Sequence, residues 1–303
     1  MIKKLRPRPL ARKPAARRDC FSRYGTLFFA GMEMPESKSA FNLNGWWRSV
    51  APSVTPTPFA PERSASLFAP RRQFDPACPE LMDRPGLDWT LLREELQTLE
   101  SFNRRAGGHW LMLRYVKQFV ASHPPGALNI LDLGTGTADI PRAVVAWARQ
   151  SRRAINITAV DGNPEILHVA RESCRGWPEI RFERHDLRTL PFAPESFDLV
   201  LCSLTLHHFT SADAIAILRQ IESLARAGYI VNDLRRNWLT IWSTALMARA
   251  LSRSSVFRND ALQSCRAAFT VRELRELAES AGLRNYQIEP HQALCRMVLT
   301  GRK

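Results

Sequence analysis

The sequence predicts an α/β fold in which a seven-stranded, mostly parallel sheet carries helices on both faces. Three observations support this prediction: short apolar runs alternate with longer amphipathic stretches over residues 126–303, turn signals separate them, and two further apolar runs close the chain. Alternation of this kind favours a parallel sheet, because right-handed crossovers leave few other topologies. A chain of 303 residues, 45% of them apolar, can bury the core that such a sheet needs.

Two helices are predicted ahead of the sheet. Apolar residues recur at spacings of three and four from Leu87 to Phe102, and the stretch HWLMLRYVKQFV repeats this period after Gly107 and Gly108. The loop HPPG at 123–126 then ends the helical pattern. We therefore expect residues 81–125 to form an N-terminal helical cap.

Seven apolar runs after this loop predict strands. In chain order they are NILDLG, INITAV, IRFERHD, FDLVLCS, GYIVND, NYQIEP and ALCRMVLTG. Helices are predicted near 139–150, 164–174 and 211–226, and again over FTVRELRELAESAGL, where Thr270 and Glu273 match a capping box. The last two strands are short enough to pair as a hairpin that closes one edge of the sheet.

Residues 1–80 are rich in proline, arginine and serine, and this composition predicts a disordered tail. The tail also holds most of the charge, because residues 1–75 contribute +9 of the net +14 and residues 76–303 only +5. An RNA or membrane tether is the functional alternative for this segment. Charge of this distribution does not favour nucleic acid as a partner of the domain itself.

The apolar runs and the cysteines indicate the cellular compartment of the protein. No apolar run is long enough to span a bilayer, and the six cysteines contain no Cys-x-x-Cys pair or zinc spacing. We therefore expect a cytoplasmic protein with buried thiols and no structural zinc. The oligomeric state is left open.

The stretch NILDLGTGTADIP carries a glycine turn that could bind several kinds of ligand. A phosphate loop requires Lys and Ser or Thr after the second glycine, Gly136, and neither follows it. A dinucleotide fold calls for glycine at position 139, where the sequence has Asp139, and Asp132 adds a second acid beside the turn. These carboxylates would repel a pyrophosphate and attract a cationic amino group or sulfonium. Asp139 is also explained without a ligand, because an acid at a helix start interacts favourably with the helix dipole.

The Asp-x-Gly-x-Gly motif resembles the first motif of class I S-adenosylmethionine-dependent methyltransferases, with Ala138 in place of the usual third glycine. The resemblance covers about residues 126–303 and implies a Rossmann-like methyltransferase domain with S-adenosylmethionine as its cofactor. It also implies that Asp161, at the end of the second strand, accepts both ribose hydroxyls, and that Asp186, at the end of the third, recognises the adenine amino group. Helix capping and turn formation are the alternative explanations for these aspartates. The implied cofactor site comprises Asp132, Gly134, Thr135, Gly136, Asp161, Gly162, Asp186, Leu187 and Ser203.

Histidines supply the candidate bases. His207 and His208 follow the fourth strand in ESFDLVLCSLTLHHF, where a base could reach a phenol beside the methyl group, and His109 on the N-terminal helices is a further candidate. For either member of the pair, structural packing is the alternative. Because adjacent side chains project in different directions and no ligand cluster is visible, we expect no metal here.

Residues 234–268 predict a helical acceptor lid whose tryptophans and leucines could line an apolar pocket, with Asp233, Arg235 and Trp238 as candidate substrate contacts. This organisation resembles methyltransferases of the ubiquinone/menaquinone type and those that tailor polyketides and phenolic lipids. The resemblance implies methylation, at oxygen, of a small aromatic, phenolic or quinol-like acceptor. RNA methylation and a non-catalytic cofactor-fold binding protein are the two alternatives.

Overall fold

The computed structural model describes residues 69–84 and 86–303, and residues 1–68 of the tail predicted for residues 1–80 lie outside the described residues. Seven strands form a single sheet in the order β3-β2-β1-β4-β5-β7-β6. The strands are β1 (Leu128–Leu133), β2 (Ile155–Asp161), β3 (Ile180–Arg184), β4 (Phe197–Ser203), β5 (Ala225–Leu234), β6 (Tyr286–His291) and β7 (Arg296–Arg302). The predicted seven-stranded, mostly parallel sheet is confirmed.

The first five strands run parallel, whereas β7 is antiparallel to both of its neighbours. The hairpin predicted at the C-terminus does form, and β7 inserts between β5 and the edge strand β6. The central strands β1 and β4 are buried along nearly their whole length, which explains why their sequences are continuously apolar. From β1 the chain adds β2 and β3 on one side of the sheet and then β4 and β5 on the other, so the strand order reverses between β1 and β4. A crevice at the carboxyl ends of the strands is expected at such a reversal.

Eight α-helices are described. They are α1 (Trp89–Arg105), α2 (Gly108–Ala121), α3 (Asp139–Gln150), α4 (Pro164–Ser173), α5 (Ser211–Leu224), α6 (Trp238–Leu251), α7 (Ser255–Ala267) and α8 (Val271–Ala281). The Thr270–Glu273 capping box starts α8, and Gly282 ends it with φ of 79°. The side chain of Asp88 accepts hydrogen bonds from the first turn of α1, which fixes where the N-terminal cap begins. In the described part of the chain no helix is both long and apolar enough to cross a bilayer.

Residues 69–80 belong to the packed domain, although the sequence assigns them to the tail. The Arg72 guanidinium donates hydrogen bonds to the main-chain oxygens of Phe209 (2.8 Å) and Ala267 (2.6 Å), and it lies 3.9 Å from the centroid of the Phe269 ring. Glu80 is 8% exposed. A planar cation that satisfies several carbonyls while covering an aromatic ring holds the segment in place, and composition alone does not reveal such contacts. The predicted boundary at residue 80 therefore lies too far along the chain.

The segment continues into a short 3-10 helix, Leu81–Asp83, which is hydrogen-bonded to α7 within the region 234–268. The carboxylate of Asp260 on α7 accepts hydrogen bonds from the main-chain N–H groups of Leu81 and Met82, each at 3.0 Å. The segment preceding α1 is thus anchored to α7 and lies at the carboxyl ends of the strands.

Candidate functional site

A cavity of about 760 Å³ opens at the carboxyl ends of β1 to β4. One wall is formed by the turns that follow these strands, and the opposite wall by α1 and the 3-10 helix Leu81–Asp83. Its volume falls within the range of small-molecule sites. The charged residues lining it are mostly acids, namely Glu80, Asp83, Glu100, Asp132, Asp139, Asp161 and Asp186, against the bases Arg184 and Arg188 and the imidazoles His185 and His208.

The glycine turn forms the floor of this cavity. Gly134 and Gly136 adopt φ of 67° and 55°, in the left-handed region that glycine favours, and Ala138 follows with φ of 58°. A Cβ atom on Gly134 would collide with the side chain of Thr205, which lies in the loop after β4. The turn therefore needs glycine at position 134 both for its backbone angle and for the close approach of the neighbouring loop.

Asp132 is a buried acid just before this turn. It is 2% exposed. Burial raises its pKa to about 7, and the nearby carboxylates of Asp139 and Asp161 add to the shift, while a hydrogen bond from Thr135 opposes it. A buried carboxylate that titrates near neutral pH is placed to gain a cationic partner.

The two acids at the next strand ends differ in how they are held. Asp161 accepts hydrogen bonds from the main-chain N–H groups of Gly136 and Asn163, each at 3.0 Å, which ties β2 to the glycine turn. Asp186 instead forms a bidentate ion pair with Arg188 at 2.6 to 3.1 Å. Both carboxylates line the cavity, and Asp186 sits at its exposed rim.

His109 does not line the cavity, because its ring is engaged by Asp139. The imidazole Nε2 lies 2.8 Å from the Asp139 carboxylate, which also accepts a 2.7 Å hydrogen bond from Asn103. Arg296 completes the network through the Asn103 side-chain oxygen at 2.9 Å. Although burial opposes ionisation, the His109 contact keeps the pKa of Asp139 below its usual range. Asp139 therefore does more than interact with the helix dipole, since it connects α1 and α2 to the glycine turn.

His207 is buried beside Asp233. Its Nδ1 lies 2.6 Å from Asp233 Oδ1, and its main-chain N–H donates to Oδ2 at 3.0 Å. Burial opposes ionisation of Asp233, but the imidazole holds the pKa of that carboxyl below its usual range. Nδ1 of His207 is thus engaged by Asp233, and Nε2 faces Glu80. Neither His207 nor Asp233 lines the cavity.

His208 faces the cavity among acids from the opposite wall. Its Nδ1 lies 3.2 Å from Asp83 Oδ2 and 4.0 Å from Glu80 Oε1, which is also 4.0 Å from His207 Nε2. Burial disfavours the charged ring, but the carboxylates of Glu80 and Asp83 outweigh it and raise the pKa of His208 to about 10. We define Glu80, Asp83, His207 and His208 as the acid–histidine cluster.

The two imidazoles lie side by side, with ring centroids 4.2 Å apart. The expectation that adjacent histidines diverge is therefore wrong here. The 3-10 helix Leu206–His208 turns both rings towards Glu80, a geometry that spacing in the sequence does not reveal.

Comparison with known proteins places this geometry in a family. Residues 130–228 match the family model described as a methyltransferase domain. The demethylmenaquinone methyltransferase of Roseiflexus sp. (strain RS-1) is 30% identical over 176 residues, which cover 52% of this chain and 69% of that relative. The chain belongs to the class I S-adenosylmethionine-dependent methyltransferases.

Further similarities of this methyltransferase are either shorter or lower in sequence identity. The 6-hydroxytryprostatin B O-methyltransferase of Aspergillus fumigatus is 33% identical over 100 residues, covering 33% of this chain and 27% of that relative. The solved structure of the plantazolicin methyltransferase BpumL in complex with SAH superimposes with a TM-score of 0.51 at 13% identity, covering 71% of this chain and 92% of that one. A protein from Methanococcus maripaludis, assigned as an S-adenosyl-L-methionine-dependent methyltransferase, gives 0.52 at 12% identity, covering 70% and 93%. These two structures support the fold.

The nine residues expected to bind the cofactor of the methyltransferase all line the cavity. Of the three candidate bases, only His208 does so. Arg235 lies outside it, with its main-chain N–H bound to the Cys295 carbonyl at 3.0 Å, and Trp238 is 45% exposed on α6. The lid expected from residues 234–268 contributes no residue to the cavity lining.

Sequence reasoning missed Glu80 and Asp83, the acids that face His208. The signal that could have found them is a change in charge, because the strongly basic tail gives way to these two acids just before α1. Met82 between them is buried, which marks the segment as part of the packed domain.

Proposed function

We propose that this methyltransferase transfers a methyl group to the oxygen of a small phenolic or quinol-like acceptor. The observation that carries the proposal is the composition of the cavity wall opposite the glycine turn. It combines apolar side chains with Glu80 and Asp83, which face His208 from across the cavity, while Glu100 on α1 is paired with Arg142. An acceptor with an apolar ring and one acidic hydroxyl would match this combination of apolar and ionisable side chains.

The cofactor half would be held by the acids at the strand ends. Asp132 is placed for the cationic amino group, Asp161 for the ribose hydroxyls and Asp186 for the adenine. When bound, S-adenosylmethionine supplies an activated methyl group, which an acceptor oxygen takes as the carbon–sulfur bond breaks. The cavity residues of the chain would align the acceptor, and alignment alone accounts for a large part of the rate in a displacement of this kind.

The proton of the acceptor hydroxyl would pass to the acid–histidine cluster. Glu80 is buried, and burial raises its pKa, so this carboxylate takes up a proton more readily than an exposed one. His208 lies 4.0 Å from the same carboxylate oxygen and would stabilise the phenolate through its positive charge. We therefore assign Glu80 as the proton acceptor and His208 as the cation that would stabilise the phenolate.

Two further observations support a small acceptor. The charged lining is dominated by carboxylates, which would repel the phosphates of RNA from the reactive centre. Relatives named demethylmenaquinone methyltransferase and 6-hydroxytryprostatin B O-methyltransferase share the domain. Their names indicate acceptors of the quinone and hydroxylated aromatic classes.

The test is transfer of labelled methyl from S-adenosylmethionine to pairs of acceptors that differ only at one hydroxyl. Each simple phenol or quinol is compared with its own methyl ether, using the full chain. We expect labelled ether from the free hydroxyl compound and none from the blocked one. Equal labelling of both, which would place the methyl on carbon, or labelling of RNA alone would refute the proposal.

The role of Glu80 has its own control. Glu80→Gln is expected to lower kcat at least about a hundredfold for weakly acidic phenols, since general acid–base catalysis contributes about that factor or more. Glu94→Gln on the exposed face of α1 should leave kcat unchanged. A Glu80→Gln enzyme with the kcat of the parent would contradict the assignment.

A further inference from the structure

We propose that Glu80, His207 and His208 bind a divalent transition-metal ion at the wall of the methyl-transfer cavity. The existence of this site stands on geometry alone, while its catalytic use rests on the proposed function. One potential ligand atom from each of the three residues lies within 4.8 Å of the other two.

The spacing suits a shared ion. Glu80 Oε1 is 4.0 Å from His207 Nε2 and 4.0 Å from His208 Nδ1. Ligand atoms about 2.1 Å from one tetrahedrally coordinated ion lie about 3.4 Å apart. A contraction of about 0.6 Å in each of the two Glu80 contacts brings them to that spacing.

The histidine nearest the core is already oriented as a ligand. Asp233 Oδ1, 2.6 Å from His207 Nδ1, fixes the ring orientation that presents Nε2 towards Glu80. A carboxylate that accepts the second ring N–H is the usual support of a metal-binding histidine. Asp233 is itself fixed by the main-chain N–H groups of His207 and Leu234, so the support is rigid.

The carboxylate is held in the same way. Ser264 Oγ donates to Glu80 Oε1 at 2.5 Å, which fixes the oxygen that faces both imidazoles. Asp83 Oδ2, 3.2 Å from His208 Nδ1, offers a fourth ligand at the open side. The cluster therefore rests on three separate elements: the 3-10 helix Leu81–Asp83 with the residue before it, the loop after β4, and α7 behind them.

The donor set indicates the kind of ion. Two imidazoles and one or two carboxylates favour Zn²⁺, Co²⁺ or Fe²⁺, whereas Mg²⁺ and Ca²⁺ prefer oxygen ligands alone. Glu80 and His208 line the cavity, so one coordination position would face the acceptor. In the metal-bound form Glu80 and His208 would be deprotonated ligands, so the ion would replace them in stabilising the phenolate. The ion would bind the acceptor oxygen as a Lewis acid, and the hydroxyl proton would leave to solvent.

The experiment measures metal binding directly, on the full chain stripped with a chelator. Zn²⁺ is titrated calorimetrically against a competing chelator, and Co²⁺ is followed by its visible ligand-field absorption. We expect one ion per chain. Glu80→Gln and His208→Gln should each weaken the affinity at least about tenfold, because even supporting groups of metal sites contribute that much.

A matched control comes from another histidine–glutamate pair. His168 Nε2 lies 3.7 Å from Glu172 on the exposed surface of α4, and His168→Gln should bind Zn²⁺ as the parent does. Absence of stoichiometric binding, or equal affinity in the parent and in Glu80→Gln, would overturn the inference. The affinity of each variant for S-adenosylhomocysteine shows that it is folded.

Failure of this inference and failure of the proposed function give different results. If no metal binds but phenols are methylated in the presence of chelator, the metal site alone is refuted. If Zn²⁺ binds through Glu80 and His208 but no phenol is methylated under any metal condition, the site is supported and the phenolic acceptor is refuted.

Discussion

The pKa of Asp132 predicts how cofactor affinity depends on pH. This carboxylate is buried, and its pKa is raised to about 7. If the ionised form holds the amino group of S-adenosylmethionine, then binding requires loss of the proton from Asp132. Affinity should therefore fall as the pH falls through 7.

The magnitude follows from the fraction of Asp132 that is ionised. About one half is ionised at pH 7 and about one tenth at pH 6, so the affinity for S-adenosylmethionine should fall about fivefold over that unit and about tenfold over the next. The other acids facing Asp132 are Asp139 and Asp161. His109 holds the pKa of Asp139 below its usual range, whereas burial raises that of Asp161, so the latter could add to the effect.

Isothermal titration between pH 5.5 and 7.5 measures this dependence, with two controls. 5′-Methylthioadenosine lacks the amino acid part of the cofactor, so the contribution of Asp132 to its pH dependence should vanish. Asp132→Asn cannot ionise and should bind S-adenosylmethionine weakly, with a smaller dependence on pH than the parent. If parent and Asp132→Asn showed the same slope, the contact between Asp132 and the amino group would be refuted.

Three further outcomes follow from the packing of the site. Gly134→Ala should lower affinity for S-adenosylhomocysteine more than about tenfold by calorimetry, because the added Cβ collides with the loop after β4 and alanine adopts φ of 67° at a cost. Gly176→Ala, whose added Cβ meets nothing within 4 Å, should leave this affinity unchanged. Without cofactor, Asp132 stays protonated in the folded state up to about pH 7 but ionises at about pH 4 in the unfolded state, so stability falls as the pH rises through this window. The parent should lose about 1.4 kcal/mol per pH unit relative to Asp132→Asn in urea unfolding, and parallel curves would contradict this. Arg72→Met should lower the free energy of unfolding by about 2–4 kcal/mol, because charged hydrogen bonds to main-chain oxygens are lost. Arg71 is exposed, so Arg71→Met should change the free energy of unfolding little. Equal effects of the two substitutions would contradict the anchoring role of Arg72.

The residues that we propose to bind the cofactor were accessible to sequence reasoning because their positions depend on local features. Each of its acids stands at the carboxyl end of an apolar run, and parallel strands bring such ends to one edge of the sheet. The alternation of runs and the Asp-x-Gly-x-Gly motif were therefore sufficient to place Asp132, Asp161 and Asp186 in one cavity.

The residues that we propose to face the acceptor were not accessible, because their positions depend on contacts between distant segments. Glu80 reaches His208 only because α7 anchors the main chain of Leu81 through Asp260. The lid predicted from residues 234–268 supplies this anchor rather than the cavity lining. Its apolar residues misled the prediction, since Trp238 lies exposed on α6 instead of facing an acceptor.

The position of Glu80 also bears on which initiation codon yields an active enzyme. Glu80 and Arg72 precede Met82, so a polypeptide initiated at Met82 would retain every strand, the glycine turn and Asp161, yet lack these two side chains. Initiation at Met32 would retain both side chains. If Glu80 has the proposed role, a recombinant product that starts at Met82 would keep the residues proposed to bind the cofactor but lose turnover, because the missing carboxylate precedes the sheet.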